Sequence, residues 1–277
     1  MVLSRLALKS ALLLLCLFGL LGCPGLPPLP AGAVGPWQAL APGLGYARAQ
    51  PWPDSVVHVL RLDLREPSLR LAITPWSERG NSLDQMPSAA TALVALNASF
   101  FDRQFDARGW TVSGGEVWPR PMVPSASPLL ACDHWQRCEV VFDVPSAPSP
   151  QWHSVVSGTP WLVRQGAARS VLDDDRCPAL CAREHPRTAL GLDRSRRFLW
   201  LVLVEGRRPP VAGVRLAPLA QWLQGLGVHD AVNLDGSGSS ALFVQGQAVM
   251  ARPANEPAQR RVANGVLVLS QRTLPAP

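Results

Sequence analysis

Three consecutive segments constrain this chain's fold more than anything else in it. Phe198 to Val204 is seven apolar residues in a row, which a strand tolerates only when both its faces are buried. Leu216, Leu219, Ala220, Leu223 and Leu226 then recur at the helical period, and Gly227 ends that helix. Asp230 to Leu234 reads as the next strand. Strand, helix, strand makes a βαβ-like unit. Beyond it runs Asp235-Gly236-Ser237-Gly238-Ser239-Ser240, a loop of small residues with one carboxylate. Such a loop lets a ligand approach the main chain closely, and Asp235 stands where a strand opens onto it. The bland alternative is a tight turn capped by Asp235.

The other segments add strands faster than helices. Val56 to Arg65 alternates, with Val57, Val59 and Arg61 on one face and His58, Leu60 and Leu62 on the other. Leu69 to Thr74 is a second strand, and Pro67-Ser68 between them suggests a hairpin. Ser82 to Ala92 is helix-permissive. Leu93 to Leu96 ends in Asn97-Ala98-Ser99. Trp110 to Trp118 turns at Gly114-Gly115. Glu139 to Val144, Val155 to Val163, Thr188 to Leu192 and Val262 to Leu269 complete the set. Asp173-Asp174-Asp175 lacks the ligand spacing of a calcium loop and reads as a solvated acidic turn. The fold class is α+β: one mixed domain with a strand-rich core, few helices, and its functional loops at strand ends. It spans residues 52–272, with a short tail at 273–277.

The N-terminus stands apart from that core. Arg5 and Lys9 precede an apolar run from Ala11 to Leu21, a secretory signal too short to span a bilayer. Leu20-Leu21-Gly22-Cys23 resembles a bacterial lipobox, which makes residues 1–22 a lipoprotein signal peptide and Cys23 the lipidated residue. Ordinary cleavage after Ala31-Gly32-Ala33 or Ala47-Arg48-Ala49 is the alternative. Residues 23–51 then read as a Pro/Gly-rich tether. The expectation is an exported lipoprotein, at the outer membrane or facing the periplasm, that meets membrane through its lipid alone.

Losing Arg5 and Lys9 lowers the formal charge from +6 to +4, and Lys9 is the only lysine. Without a lysine-rich run or an aromatic stacking pattern, that charge does not indicate nucleic acid. Arginine's planar fork suits phosphate and carboxylate instead. Cys132, Cys138, Cys177 and Cys181 form an even set, which suggests disulfides in an exported chain. The local pairs Cys132–Cys138 and Cys177–Cys181 are the simplest of three arrangements. A zinc site using His134 and His185 is the competing reading, and the spacing fits no standard module.

The glycine–serine loop has no nucleophile-elbow spacing and no P-loop lysine, and a strand, not a helix, follows its glycines. What remains is carboxylates, arginines and asparagines at strand ends. Asp235 and Glu205 each follow a buried strand. If those strands are neighbours, the two carboxylates share one rim, as glycoside hydrolysis requires. Glu205 reads equally as a solvent-facing hairpin residue. Arg187 and Arg261 each begin a strand. They are either solvated or aimed together at a phosphate. Asn97 is a ligand for a sugar hydroxyl or a turn residue.

The ordered series Asn97-Ala98-Ser99-Phe100-Phe101-Asp102, Ser157-Gly158-Thr159-Pro160, Pro186-Arg187-Thr188-Ala189-Leu190-Gly191, Glu205-Gly206-Arg207, Asn233 to Ser240 and Arg261-Val262-Ala263-Asn264 resembles the phosphodiester glycosidase family. The resemblance runs from about Val57 to Leu269. It implies hydrolysis between a sugar's anomeric carbon and a phosphodiester oxygen, of the N-acetylglucosamine-1-phosphodiester type, and the export signal places the expected substrates in the cell envelope or exopolysaccharide. It implies Asp235, Glu205 and Arg187 as catalytic residues. Asn97, Thr188, Arg207, Asn233, Gly236, Ser237, Gly238, Ser239, Ser240, Arg261 and Asn264 would hold a sugar-phosphate or phosphoglycan. No cofactor is expected, and a divalent metal requirement stays open. Ser237 stands where the family usually has glycine, and Ala98-Ser99 departs from the usual Asn-Gly pattern. Those departures motivate one rival, a non-catalytic glycan-binding envelope lipoprotein. A metal-dependent phosphodiesterase is the other.

Overall fold

The structure, a computed structural model, describes residues 34–119 and 127–271. The signal segment, Cys23 and the tail at 273–277 lie outside the described residues. The first half contains β1 (Gln38–Ala41), β2 (Leu44–Ala49), β3 (Val57–Asp63), β4 (Leu69–Ile73), α1 (Pro87–Ala90), β5 (Val94–Asn97), β6 (Val112–Ser113), β7 (Glu116–Val117), β8 (Leu129–Cys132) and β9 (Cys138–Val141). Then follow β10 (Ser154–Ser157), β11 (Trp161–Arg164), β12 (Ala167–Ala168), α2 (Val171–Asp174), β13 (Arg187–Asp193), β14 (Phe198–Val204), α3 (Leu216–Gly225), β15 (Val228–Asn233), β16 (Leu242–Val244), β17 (Gln247–Ala248) and β18 (Gly265–Ser270).

The strands build an eight-stranded sheet ordered β1-β2-β3-β14-β13-β15-β11-β12 and two five-stranded sheets, β7-β6-β10-β8-β9 and β17-β16-β5-β18-β4. β14 is buried on both faces, as its unbroken apolar run requires. Leu199, Leu201 and Leu203 join Leu60, Leu62, Leu96, Leu130 and Val268 in the core shared with the smaller sheets. Trp200, Val202 and Val204 face Leu216, Leu219, Ala220 and Leu223 of α3. Each fully buried leucine on α3 contributes about 1.5–3 kcal/mol, which holds the helix on the sheet. The βαβ-like unit is present. β14 and β15 are parallel to each other, and β13 lies antiparallel between them.

That arrangement fixes the rim. Arg187 at the start of β13 pairs with Val204 at the end of β14, and Ala189 pairs with Asn233 at the end of β15. The chain therefore leaves the sheet at Pro186, Glu205 and Leu234 along one edge.

Four expectations need correction. The tether does not extend to residue 51, because β1 and β2 form a hairpin whose second strand pairs with β3 from Ala49↔Val57 to Leu44↔Leu62. Gly43, at φ +72°, makes the turn that the local composition disguises. β3 and β4 are no hairpin, since Pro67-Ser68 carries the chain between sheets. The stretch from Val155 to Val163 is two strands, β10 and β11, in different sheets. The acidic triplet is not merely solvated. Asp173 closes a capping box with Ser170 on α2. Asp174 is buried, pairs with Arg169 (2.7 Å) and accepts the Ala217 N–H (3.0 Å), supplying α3 with the N-terminal partner that Arg215 does not provide. Both local disulfides are present, Cys132–Cys138 across the β8–β9 hairpin and Cys177–Cys181 in the loop before β13.

Candidate functional site

Asp235 is held from two sheets at once. The Leu234 N–H donates to the Thr188 carbonyl (2.8 Å), adding one rung beyond β15. The chain then turns away from the sheet. The Asp235 N–H donates to the Ala98 carbonyl (2.8 Å), and its own carbonyl accepts from Asn97 Nδ2 (2.6 Å). Asn97 Oδ1 accepts from Thr188 Oγ1 (2.8 Å) and from the Ala241 N–H (3.1 Å). One buried amide thus ties β5, β13 and both ends of the glycine–serine loop together. Asn97 and Thr188, expected to hold substrate, are fully buried and occupied with this task.

The Asp235 carboxyl is partly buried. Burial pushes its pKa up to about 6. The Ser239 hydroxyl, the Gly236 N–H (2.9 Å to Oδ1) and the charges of Arg260 and Arg108 pull against that rise. Gly236 lies against Pro186, whose carbonyl is 2.5 Å from where a Cβ would sit, and that same carbonyl accepts the Ser237 N–H (2.9 Å). A side chain at Gly238 would meet Glu256 and Arg260, an ion pair that lies directly over the loop. Asn233 donates Nδ2 to the Thr159 carbonyl (2.7 Å). Asn233 Oδ1 and Ser240 Oγ are buried without a protein partner, and Ser239 Oγ has none beyond the carboxyl. Buried polar atoms without partners are uncommon and costly. Asn233 Oδ1 and Ser240 Oγ are two such atoms, on the segment that carries Asp235.

The arginines at this carboxylate are not those the sequence pointed to. Arg187 turns to the α3 face, donating Nε to the Val214 carbonyl (2.9 Å) and Nη2 to the carbonyls of Leu180 (2.8 Å) and Arg183 (2.7 Å). Burial lowers its pKa to about 10, against the pull of Asp174. It anchors the disulfide-bearing loop and is spent in doing so. Arg261 donates Nε to the Gly80 carbonyl and stacks on Phe105 (4.8 Å). Arg207 Nη2 donates to His185 Nδ1 (3.1 Å). The phosphate clamp of Arg187 with Arg261 is therefore absent. Arg260 and Arg108 are the cations whose charge acts on Asp235 in its place.

Glu205 reaches the same rim but is also engaged. His58 Nε2–H donates to its Oε1 (2.8 Å), as does the Ala251 N–H (3.0 Å), while the Tyr46 hydroxyl donates to His58 Nδ1 (2.9 Å). Burial raises its pKa, but His58, Ala251 and Arg48 together hold it below the ordinary glutamate range. Through the Ala251 N–H it holds the segment that leads to Glu256 and Arg260. Asn264 accepts the Ser99 N–H (2.8 Å) and donates to Ser99 Oγ (3.2 Å), which fixes the neighbours of Asn97. No group of three or more His, Cys, Asp or Glu suited to a metal ion occurs among the described residues.

Ser237 has φ +57°, the left-handed region that glycine occupies without strain. Ser237→Gly is expected to stabilise the protein by about 0.5–1 kcal/mol, the relieved strain exceeding the added chain entropy. Urea midpoints check this, and a lower midpoint for the variant contradicts it.

The family model for phosphodiester glycosidases matches residues 90–269, a span that includes Asn97, Arg108, Asp235 and Arg260. No curated protein matches the chain. Among solved structures, the catalytic domain of zebrafish N-acetylglucosamine-1-phosphodiester alpha-N-acetylglucosaminidase, auto-inhibited by its pro-peptide, is similar with a TM-score of 0.66 at 18% identity, over 84% of this chain and 86% of that one. A hypothetical protein from Synechocystis is similar with a TM-score of 0.60 at 16% identity, over 86% of this chain and 64% of its own. A putative exported protein from Burkholderia pseudomallei K96243 gives 0.56 at 16% identity, over 78% and 74%. At these identities the likeness is one of fold.

Proposed function

The chain belongs to the phosphodiester glycosidase family, and from that premise we propose that it hydrolyses sugar-1-phosphodiesters of the N-acetylglucosamine type with Asp235 as the reacting carboxylate. The observation that carries this reading is the setting of Asp235: a carboxyl with its pKa pushed to about 6, beside Arg260 and Arg108, on a loop with unpartnered polar atoms. The bond that breaks joins the anomeric carbon to the phosphate oxygen. Water supplies a hydroxyl to the sugar, and the phosphate leaves as a monoester. A phosphate is weakly basic, so it departs without strong acid assistance. Arg260 and Arg108 neutralise the charge that grows on it. Above pH 6 Asp235 is ionised and available to the anomeric centre. The buried Ser240 hydroxyl and the Asn233 side-chain oxygen take polar groups of the sugar.

The proposed setting is the cell envelope or exopolysaccharide, with the chain exported and held by lipid at Cys23. The two disulfides support an oxidising compartment. Among the described residues no helix is long and apolar enough to cross a membrane.

Purified protein given an N-acetylglucosamine-1-phosphodiester in ¹⁸O-water tests the bond. Label in the sugar supports glycosidic cleavage, and label in the phosphate assigns a phosphodiesterase instead. Arg260→Ala is expected to lower kcat/KM by about 10²–10³-fold. Because a cation beside the carboxylate favours its charged form, removing it also moves the acid limb of the pH profile to higher pH. An unmoved limb separates Arg260 from Asp235.

A further inference from the structure

A groove of about 1170 Å³ opens at the rim opposite Asp235, between the β13–β14 turn and the β8–β9 hairpin. Trp135 stands at the hairpin tip with 65% of its surface exposed. Its surroundings are rigid. The Cys132–Cys138 disulfide closes the hairpin. Asp133 Oδ1 accepts the N–H groups of Trp135 (3.0 Å) and Arg137 (2.9 Å). Gln136, at φ +64°, buries its amide against edge strand β4, accepting from the Leu71 N–H (2.6 Å) and donating to the Leu69 carbonyl (2.6 Å). Arg70 donates to the His134 carbonyl (2.8 Å). A mobile tip could fold its indole onto the surface, but this scaffold leaves most of the ring in water, with the His134 ring against it (centroids 3.3 Å apart) and the Arg137 guanidinium over it (4.9 Å).

The chemistry of the walls selects the occupant. Arg65 and Arg196 line the groove together with Glu139 and Asp143, and Trp152 stands on the far wall. A lipid surface would meet a recess with charged walls rather than an apolar patch. Sugar hydroxyls donate and accept, so they satisfy guanidinium and carboxylate alike, while the apolar face of a sugar ring lies flat on an indole.

We propose that this groove binds a stretch of glycan chain remote from the scissile bond, with Trp135 as its stacking platform. The proposal takes its sugar class from the reading above and adds a second contact for polymeric substrate. Affinity electrophoresis through gels containing a soluble polymer of N-acetylglucosamine-1-phosphate tests it, in an Asp235→Asn background that prevents cleavage. Trp135→Ala is expected to weaken retention about tenfold and Trp135→Phe much less. With Asp235 intact, Trp135→Ala is expected to lower kcat/KM on the polymer about tenfold relative to kcat/KM on a small diester. Equal retention of parent and Trp135→Ala overturns the proposal, as does no retention of either. Trp135-dependent binding to vesicles of phosphatidylcholine and phosphatidylglycerol, without glycan retention, assigns the groove to membrane and overturns it too. Trp135-dependent retention without turnover of any diester would remove the activity and leave the groove. Turnover indifferent to Trp135 would do the reverse.

Discussion

Asp235→Asn is expected to lower hydrolysis of an N-acetylglucosamine-1-phosphodiester by at least about 10³-fold while leaving the fold intact. Asparagine keeps an oxygen for the Gly236 N–H, and the main-chain contacts to Ala98 and Asn97 do not involve the side chain. What it loses is the charge. In the native protein the carboxyl holds its proton up to about pH 6 rather than the ordinary 3.8. The folded state therefore binds that proton more tightly than the unfolded state does. Stability falls as pH rises from about 4 to 6, by at most about 3 kcal/mol, and stays lower above. The wild-type rate is expected to rise across the same interval as the carboxyl ionises. The variant should thus be inactive and, at pH 8, more resistant to urea than wild type, with no such gain at pH 4. Retention of a tenth of the wild-type rate would sink Asp235 as the reacting group.

Asn97→Ala is expected to damage stability and catalysis together. It leaves the Asp235 carbonyl, the Thr188 hydroxyl and the Ala241 N–H without their partner in the interior. Each buried orphan costs about 1–3 kcal/mol, so a loss of at least about 3 kcal/mol follows from the three. Below the melting transition, kcat should still fall about 10²-fold if Asp235 is the reacting group, because that carboxylate loses its mooring. Asn97→Asp separates the two effects: it keeps an acceptor for Thr188 and Ala241 but loses the donor to Asp235. The charge it buries is destabilising at neutral pH, so its stability should recover toward acid pH as the new carboxyl takes up a proton, a dependence that alanine lacks. Wild-type kcat in either folded variant would contradict a positioning role.

The large sheet was legible in the sequence because its signals are periodic. The two-sided burial of β14, the helical spacing of α3 and the alternation in β3 each follow from one repeat and one core. The rim was legible as well, since antiparallel pairing of β13 with both neighbours brings Pro186, Glu205 and Asp235 to one edge. Which way each side chain points there was harder to read. Arg187 shares a face with Ala189, and that face belongs to α3; strand alternation alone contained this. Glu205 points to the other face, where His58 is waiting, a partner far away in sequence. Arg108 and Arg260 come from irregular segments. Arg260 adjoins Arg261, yet the two guanidinium groups part, one to Glu256 and one to Gly80. No periodic signal distinguishes the two. The β1–β2 hairpin was concealed for a related reason: proline- and glycine-rich composition before it reads as tether although the alternation resumes within it.

The mooring of Asp235 by Asn97 spans 138 positions of sequence, and the guanidinium beside it comes from near the C-terminal strand. On the role proposed for Asp235, a chain emerging from the ribosome gains its reacting carboxylate only once Arg260 has been made and two sheets have docked. Hydrolysis by Asp235 would then require both sheets in place, and a chain that stops short of Arg260 would be chemically silent.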